Sequence, residues 1–214
     1  MPETGDRRVE YTREGSVACI RINRPEKLNA LDRNMVLALE RAANLADSDA
    51  TLRAVILTGT GDKSFCAGGD IEAWSSLSPE DFAMDWVRHG HRAFDALARM
   101  RHPLIAAING HCLGGGLELA VSADFRIAEE QVRLGQPEAG LGIIAGWSGT
   151  QRAVRRFGAQ TVRRMALEGE VFSAEQGLAL GVVDKVVPQG GSLPAARDLA
   201  LQIGGRSPQA TRLT

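Results

Sequence analysis

The sequence predicts an α/β fold. Short apolar runs with the length of buried strands alternate along the chain with longer stretches of helical periodicity. Two strands often precede each helix, and this β-β-α order occurs three times, which neither an all-α nor an all-β chain would show. No stretch rich in proline, glycine or serine divides the 214 residues into independent parts. The length therefore suits one main hydrophobic core with at most a small appendage.

The first half of the chain predicts three strands and two helices. The strands are expected at 9–13, 17–23 and 53–58, the first two as a hairpin. Asp32 is suited to cap a helix whose apolar residues recur at helical spacing: Met35, Leu39, Ala42, Ala43 and Ala46. Ser78 followed by Pro79 predicts the start of a second helix, which we expect to run to about residue 100.

The second half continues the alternation. A turn signal, Asn109-Gly110, ends one apolar run, and a glycine triplet at 114–116 opens a helix. Ser173 and Gln176 form a capping-box pattern for a helix that ends at Gly181. Strands are predicted at 104–108, 125–128, 132–134 and 182–187, and further helices at 117–123, 148–157, 159–168 and 194–203.

The charge balance argues against a nucleic-acid-binding protein. Lys and Arg together number 25 against 26 Asp and Glu, whereas such proteins usually carry a basic excess or stripe. No basic and apolar leader begins the chain, and no window approaches the ~20 apolar residues of a membrane span. We therefore expect a soluble protein of the cytoplasm without a membrane partner.

Neither a disulfide framework nor a metal site is predicted. The cysteines are odd in number and lack the C-x-x-C spacing, so we expect buried, reduced thiols. The histidines lack the H-x-x-x-H spacing of metal ligands, and we expect ordinary structural or surface roles for them. The residues concerned are Cys19, Cys66 and Cys112, and His89, His91, His102 and His111.

Glycines cluster in two stretches, 65–71 and 108–119, each between an apolar run and a helical pattern. Free backbone N–H groups at such a junction favour partial negative charge placed against them. Two tight turns with packing glycines are an equally simple explanation. A phosphate-binding loop is a third, but Gly-x-Gly-x-x-Gly and the Walker Lys-Ser/Thr are both absent.

Two glutamates belong to the same part of the sequence. Glu118 falls in the first turn after the glycine triplet, and Glu138 follows twenty residues later, after two predicted short strands that can bring it back beside Glu118. Both have apolar neighbours, which tend to raise the pKa of a carboxyl into the range of general acid–base catalysis. An isolated glutamate would more often be a helix-end charge; the pair beside free amides favours catalysis.

The chain resembles the crotonase superfamily, also called the enoyl-CoA hydratase/isomerase family, over nearly its whole length. Six motifs occur in the family's order: RPEKLNAL (24–31), AGGDI (67–71), NGHCLGGGLE (109–118), GQPE (135–138), GTQR (149–152) and ALGVVD (179–184). The resemblance implies a β-β-α spiral core over residues 1–190 with peripheral helices. It also implies an acyl-CoA substrate, no separate cofactor, and a homotrimer that often dimerises into a hexamer.

Site residues follow from the same resemblance, motif by motif. The amides of Gly69 and Gly115 should form an oxyanion hole for the thioester, and Gly69, commonly alanine in hydratases, should be tolerated because its amide does the work. Contacts with coenzyme A are expected from Lys27, Ala30, Leu31, Ala67, Asp70, Ile71 and Glu72. Family members continue with C-terminal helices, which 191–214 would only begin, so this closure is expected to be short or missing.

The expected reaction is hydration of a 2-enoyl-CoA, or the reverse dehydration, because hydratases of the family have both glutamates and isomerases typically keep only the second. Glu118 should activate the water and Glu138 should exchange the proton at Cα. Another reaction of the family, such as isomerisation or thioester hydrolysis, and a non-catalytic acyl-CoA-binding subunit remain alternatives. A set of large apolar residues is more often ordinary core, but if it lines the acyl pocket it would shorten it toward small or flat acyl groups; the residues are Trp74, Phe82, Met84, Trp86 and Trp147.

Overall fold

A computed structural model describes residues 3–213 of the protein. Residues 1 and 2 of the predicted core (1–190) and residue 214 of the predicted C-terminal segment (191–214) lie outside the described residues. The described residues form ten strands in two sheets. The strands are β1 (Val9–Glu14), β2 (Val17–Ile22), β3 (Ala54–Gly59), β4 (Ser64–Cys66), β5 (Leu104–Ile108), β6 (His111–Leu113), β7 (Phe125–Glu129), β8 (Arg133–Gly135), β9 (Phe172–Ser173) and β10 (Lys185–Val187).

The larger sheet has the order β1-β2-β3-β5-β7-β10, and the smaller has the order β4-β6-β8-β9. The predicted hairpin of β1 and β2 is antiparallel, and every other pairing in the larger sheet is parallel. Three consecutive pairs, β3–β4, β5–β6 and β7–β8, place their first strand in the larger sheet and their second in the smaller. The α/β class and the β-β-α order are thus confirmed.

Ten helices accompany these strands in the described part of the chain. They are α1 (Arg33–Ser48), α2 (Ile71–Trp74), α3 (Pro79–Asp81), α4 (Arg88–Ala98), α5 (Gly115–Val121), α6 (Gln151–Phe157), α7 (Ala159–Leu167), α8 (Ala174–Ala179), α9 (Ser192–Gly204) and α10 (Pro208–Leu213). The three predicted caps are confirmed: Asp32 accepts the amide of Met35, Ser78 accepts that of Asp81, and Ser173 forms the capping box with Gln176.

Three predicted elements were wrong in detail. The helix expected over 78–100 contains a π-helical segment, Phe82–Val87, between α3 and α4, in which the amide of Arg88 bonds to the carbonyl of Ala83. The strand expected over 182–187 is confined to β10, because the amides of Val182 and Val183 both bond to the carbonyl of Gly177. The helix expected from 148 begins at Gln151, since Ser148 has a left-handed φ of 84°.

The core lies on both faces of the larger sheet. One face packs against the smaller sheet and α1, and the other carries α9, whose Ala196 and Ala200 are buried with Ile56, Ile105 and Ile127. The helices α9 and α10 occupy the predicted C-terminal segment; the boundary at residue 190 stays a prediction. None of the described helices has the length and apolarity of a membrane span.

Candidate active site

The first glycine-bearing turn connects β4 to α2 and leaves one amide free. Leu31 pairs with this turn as an isolated parallel bridge: its amide donates to the carbonyl of Gly68 at 2.8 Å, and its carbonyl accepts the amide of Asp70 at 2.8 Å. In a parallel bridge the residue between those two, here Gly69, directs its own N–H to the opposite side. Among the described residues the Gly69 N–H has no acceptor.

The second turn connects β6 to α5 and leaves another amide free. Gly114 has a φ of 55°, which glycine adopts without steric cost, and its amide donates to the carbonyl of Gly135 at 2.9 Å. Gly115 begins α5, where N–H groups have no intrahelical partner, and it too has no acceptor in the described chain. A β-carbon on Gly68 would lie 3.1 Å from the Gly115 nitrogen, so the two turns touch.

The first turn of α5 places Glu118 in the interior. The side chain is buried, and its Oε1 accepts the amides of Trp147 at 2.7 Å and Gly149 at 2.6 Å. The pKa of Glu118 is raised to about 8, mainly by burial; the charge of Glu138 acts in the same direction and the two amides act in the opposite one. The apolar neighbours in the sequence predicted this direction.

The second carboxyl, Glu138, lies in a 3₁₀ turn, Pro137–Leu141, just after β8. Burial raises its pKa. Neither of its carboxyl oxygens has a hydrogen-bond donor among the described residues. Its Oε1 is near Gly114, where a β-carbon would be 3.3 Å away. The strand β8 therefore returns Glu138 to the glycine turn from which Glu118 begins, as the spacing predicted.

A cavity of about 630 Å³ joins these groups, since Gly69, Gly115, Glu118 and Glu138 all line it. The structure thus brings together the four residues to which the sequence assigns chemistry. Their catalytic roles stay predictions.

Aromatic side chains form much of the rest of the cavity wall: Trp74, Phe82, Trp86 and Trp147. Met84, grouped with them from the sequence, does not line the cavity and is 55% exposed. The reason is helical geometry, because Phe82 and Trp86 are four residues apart on one side of the helix and Met84 lies between them on the other.

The residues expected to contact coenzyme A divide into two groups. Ala67 and Ile71 line the cavity. The others do not line it. Lys27 forms an exposed ion pair with Glu72 at 2.6 Å, and Leu31 is buried, with its backbone hydrogen-bonded to the turn between β4 and α2. Ala30, which precedes Leu31 in the chain, is partly buried.

The side chain of Asp70 already has two partners within the protein. Its carboxylate forms an ion pair with Arg24 at 2.8 Å and caps α2 through the amide of Glu72. Contacts of Lys27, Ala30, Leu31, Asp70 and Glu72 with coenzyme A stay predictions.

The contact between His91 and Ser148 was missed by the sequence analysis. His91 lines the cavity, and its Nδ1 lies 3.0 Å from Oγ of Ser148. His91 was treated as an ordinary histidine and Ser148 only as the start of a helix, because nothing in the sequence shows that α4 and the segment before α6, 57 residues apart, come together. The Ser-Gly pair at 148–149 is a turn signal, but it does not identify the partner.

Comparison with known proteins identifies the family. A family model described as enoyl-CoA hydratase/isomerase matches residues 12–214. The crotonyl-CoA hydratase of Syntrophomonas wolfei is 38% identical over 202 residues, which are 94% of this chain and 77% of that protein. The (E)-benzylidenesuccinyl-CoA hydratase of Thauera aromatica is 36% identical over 198 residues, 92% of this chain and 77% of that protein.

Solved structures agree. The enoyl-CoA hydratase of Bacillus anthracis superposes with a TM-score of 0.93 at 34% identity, covering 97% of this chain and 80% of that one. Pseudomonas aeruginosa DspI superposes with the same TM-score at 35% identity, covering 97% of this chain and 84% of that one. The chain belongs to the enoyl-CoA hydratase/isomerase family, the crotonase superfamily.

Proposed function

We propose that this protein hydrates 2-enoyl-CoA thioesters to 3-hydroxyacyl-CoA, or catalyses the reverse dehydration. The thioester oxygen accepts the N–H groups of Gly69 and Gly115. Glu118 takes a proton from water as the water oxygen bonds to Cβ, the electrons of the double bond move toward the thioester oxygen, and Glu138 delivers a proton to Cα. Dehydration reverses each transfer, so Glu138 removes the Cα proton and Glu118 protonates the departing hydroxyl.

One observation carries this proposal: two buried carboxyls and two backbone amides without acceptors among the described residues belong to the lining of a single cavity. Amides directed at a developing oxyanion stabilise it, and losing one such donor generally costs ~10²–10³ in rate. A pair of carboxyls that holds one proton can act as acid and base in turn. The chemistry needs no metal or other cofactor, because amides meet the charge and carboxyls carry the proton.

The relatives support the reaction type. The protein from Syntrophomonas wolfei is named a crotonyl-CoA hydratase, and one from Clostridium acetobutylicum, 38% identical over 206 residues, is named a short-chain-enoyl-CoA hydratase.

The aromatic wall of the cavity extends the proposal to the acyl group. Three indoles, those of Trp74, Trp86 and Trp147, converge on Gly69, which leaves little room for a long flexible chain there. We therefore expect short or flat acyl groups, and full activity on a C16 enoyl thioester would contradict this. Trimeric or hexameric assembly and a cytoplasmic location stay predictions.

The test is turnover of crotonyl-CoA, followed by loss of absorbance at the conjugated thioester band. Wild-type protein should hydrate it, and Glu118→Gln should lower kcat by a factor of hundreds, within the ~10²–10⁴ that general acid–base groups contribute. Glu130→Gln, at an exposed position, is the matched control and should leave kcat unchanged.

The other outcomes separate the alternatives. Near-full activity of Glu118→Gln would leave Glu138 as the sole base and point to an isomerase, hydrolase or other reaction of the family. Binding of crotonyl-CoA without turnover by the wild-type protein would indicate a non-catalytic acyl-CoA-binding subunit.

A further inference from the structure

The segment that holds Glu118 has an unusual backbone conformation. Ser148 has a φ of 84°, a left-handed value that side chains with a β-carbon disfavour. The flanking residues, Trp147 and Gly149, both direct their amides at Oε1 of Glu118, at 2.7 and 2.6 Å. Successive backbone N–H groups around a left-handed residue form a concave anion site. The strained serine is therefore the residue that lets two amides converge on one carboxyl oxygen.

Two hydrogen bonds tie this segment to the π-helical segment and to α4. Nδ1 of His91 lies 3.0 Å from the hydroxyl of Ser148, and Nε1 of Trp147 donates to the carbonyl of Trp86 at 3.2 Å. Gly90 lies between Trp86 and His91 along the chain, and a β-carbon there would be only 1.9 Å from Nε1 of Trp147. The indole thus lies directly on the helix backbone, which fixes the distance between His91 and Ser148.

We propose that His91 and Ser148 are positioning residues, which hold the amides of Trp147 and Gly149 against Oε1 of Glu118. The hydrogen bond between the His91 imidazole and the Ser148 hydroxyl keeps Ser148 in its left-handed conformation. That conformation directs the amides of Trp147 and Gly149 at Oε1 of Glu118. The inference rests on the proposed role of Glu118 and adds two residues that act through the backbone. It also links the wall of the acyl cavity, to which His91 belongs, with the carboxyl proposed to activate water.

The consequence can be measured at Glu118 itself. Burial and the carboxylate of Glu138 disfavour its charged form, whereas the two amides and the charge of Arg152 favour it. If Ser148 relaxes to a negative φ, the amides turn away while Glu138 and Arg152 stay in place. The pKa of Glu118 then rises, and less of the carboxylate is available for catalysis.

Four variants at the two positions test the proposal. Ser148→Ala removes the hydroxyl but keeps the β-carbon that opposes a left-handed φ, whereas Ser148→Gly also removes the hydroxyl but adopts that φ freely. His91→Ala removes the ring, whereas His91→Asn keeps a polar atom near the position of Nδ1. His111→Ala, at an exposed histidine, is the matched control.

The readout is a pH titration of ¹³C-carboxyl-labelled glutamate by NMR, with the Glu118 signal assigned by its loss in Glu118→Gln. We expect Ser148→Ala and His91→Ala to raise the pKa of Glu118 by about one unit, a tenfold change in proton affinity. Ser148→Gly, His91→Asn and His111→Ala should stay near the wild-type value. The kcat for hydration should fall in the first pair and be retained in the others.

An unchanged pKa of Glu118 in both Ser148→Ala and His91→Ala overturns the proposal. So does an equal shift in Ser148→Gly and Ser148→Ala, because the hydroxyl and not the backbone would then matter. If Ser148→Ala does not fold, as circular dichroism would show, the comparison of His91→Ala with His91→Asn decides alone. The titration needs no turnover, so a wild-type protein inactive on crotonyl-CoA would defeat the proposed function without deciding this one.

Discussion

The edge of the Trp86 indole lies over Gly69, so close that a β-carbon at position 69 would be 2.7 Å from Cζ2 of the tryptophan. Trp86 is buried and packs at 5.0 Å, centroid to centroid, against the ring of Trp147, so it has little freedom to move aside. The resemblance suggested only that glycine is tolerated here. The structure indicates that alanine would not be tolerated at position 69, because its methyl group would collide with Trp86.

Gly69→Ala should therefore lower kcat for hydration, because the crowded turn displaces the amide at position 69. The loss should approach, without exceeding, the ~10²–10³ of losing an oxyanion donor outright. Trp86→Phe removes the ring that carries Cζ2, so the double variant Gly69→Ala/Trp86→Phe should recover much of the loss relative to Trp86→Phe alone. The measurement is kcat on crotonyl-CoA for all four proteins. Wild-type activity in Gly69→Ala would show that the turn accommodates the methyl group.

The rate of either reaction should have a bell-shaped dependence on pH. Both directions need a single proton on the Glu118–Glu138 pair, and burial raises both pKa values, that of Glu118 to about 8. Above about pH 8 the last proton leaves, so kcat/KM should fall about tenfold per pH unit. On the acid side the rate should fall as the second carboxyl is protonated. A profile that is flat between pH 7 and 10 would be inconsistent with a shared proton.

Gly90→Ala should destabilise the protein by about 1–3 kcal/mol, the usual cost of overpacking. Its β-carbon would be 1.9 Å from Nε1 of Trp147, whose ring is also held edge-on by Phe94. Gly204→Ala, in α9, is the matched control, because a β-carbon there is 3.7 Å from its nearest neighbour and should be neutral or slightly stabilising. Denaturant unfolding of both variants measures the difference, and equal midpoints would contradict the close contact.

Lys27→Ala should raise KM for acyl-CoA several-fold and leave kcat near the wild-type value, as expected when uniform binding is lost. The Lys27–Glu72 pair is exposed, and exposed ion pairs contribute little to stability, so folding should be unaffected. A pantetheine thioester without the nucleotide provides the control. If Lys27 contacts the nucleotide phosphates, KM for this substrate should not change; an equal rise for both substrates would place the effect elsewhere.

Much of the architecture was predictable because its causes are local. The hairpin of β1 and β2, the caps at Asp32, Ser78 and Ser173 and the strand β5 depend on neighbouring residues, and all were confirmed. Three strands, β4, β6 and β9, were not predicted, since two or three residues show no periodicity of their own; β8, equally short, was expected one residue earlier, at 132–134. The strand β10 is shorter than predicted because the preceding amides bond to a carbonyl of α8, and no residue nearby in the sequence indicates those bonds.

The site divides in the same way. By itself the sequence determined the two glycine turns and the two glutamates, because the spacing of strand, turn and helix sets which amides and carboxyls meet. Only the tertiary structure decided that Trp86 forbids a side chain at Gly69, and that His91 and Ser148 meet behind Glu118. Those relationships join segments up to 57 residues apart, and they arise from close packing, which depends on the whole fold and not on any stretch of sequence.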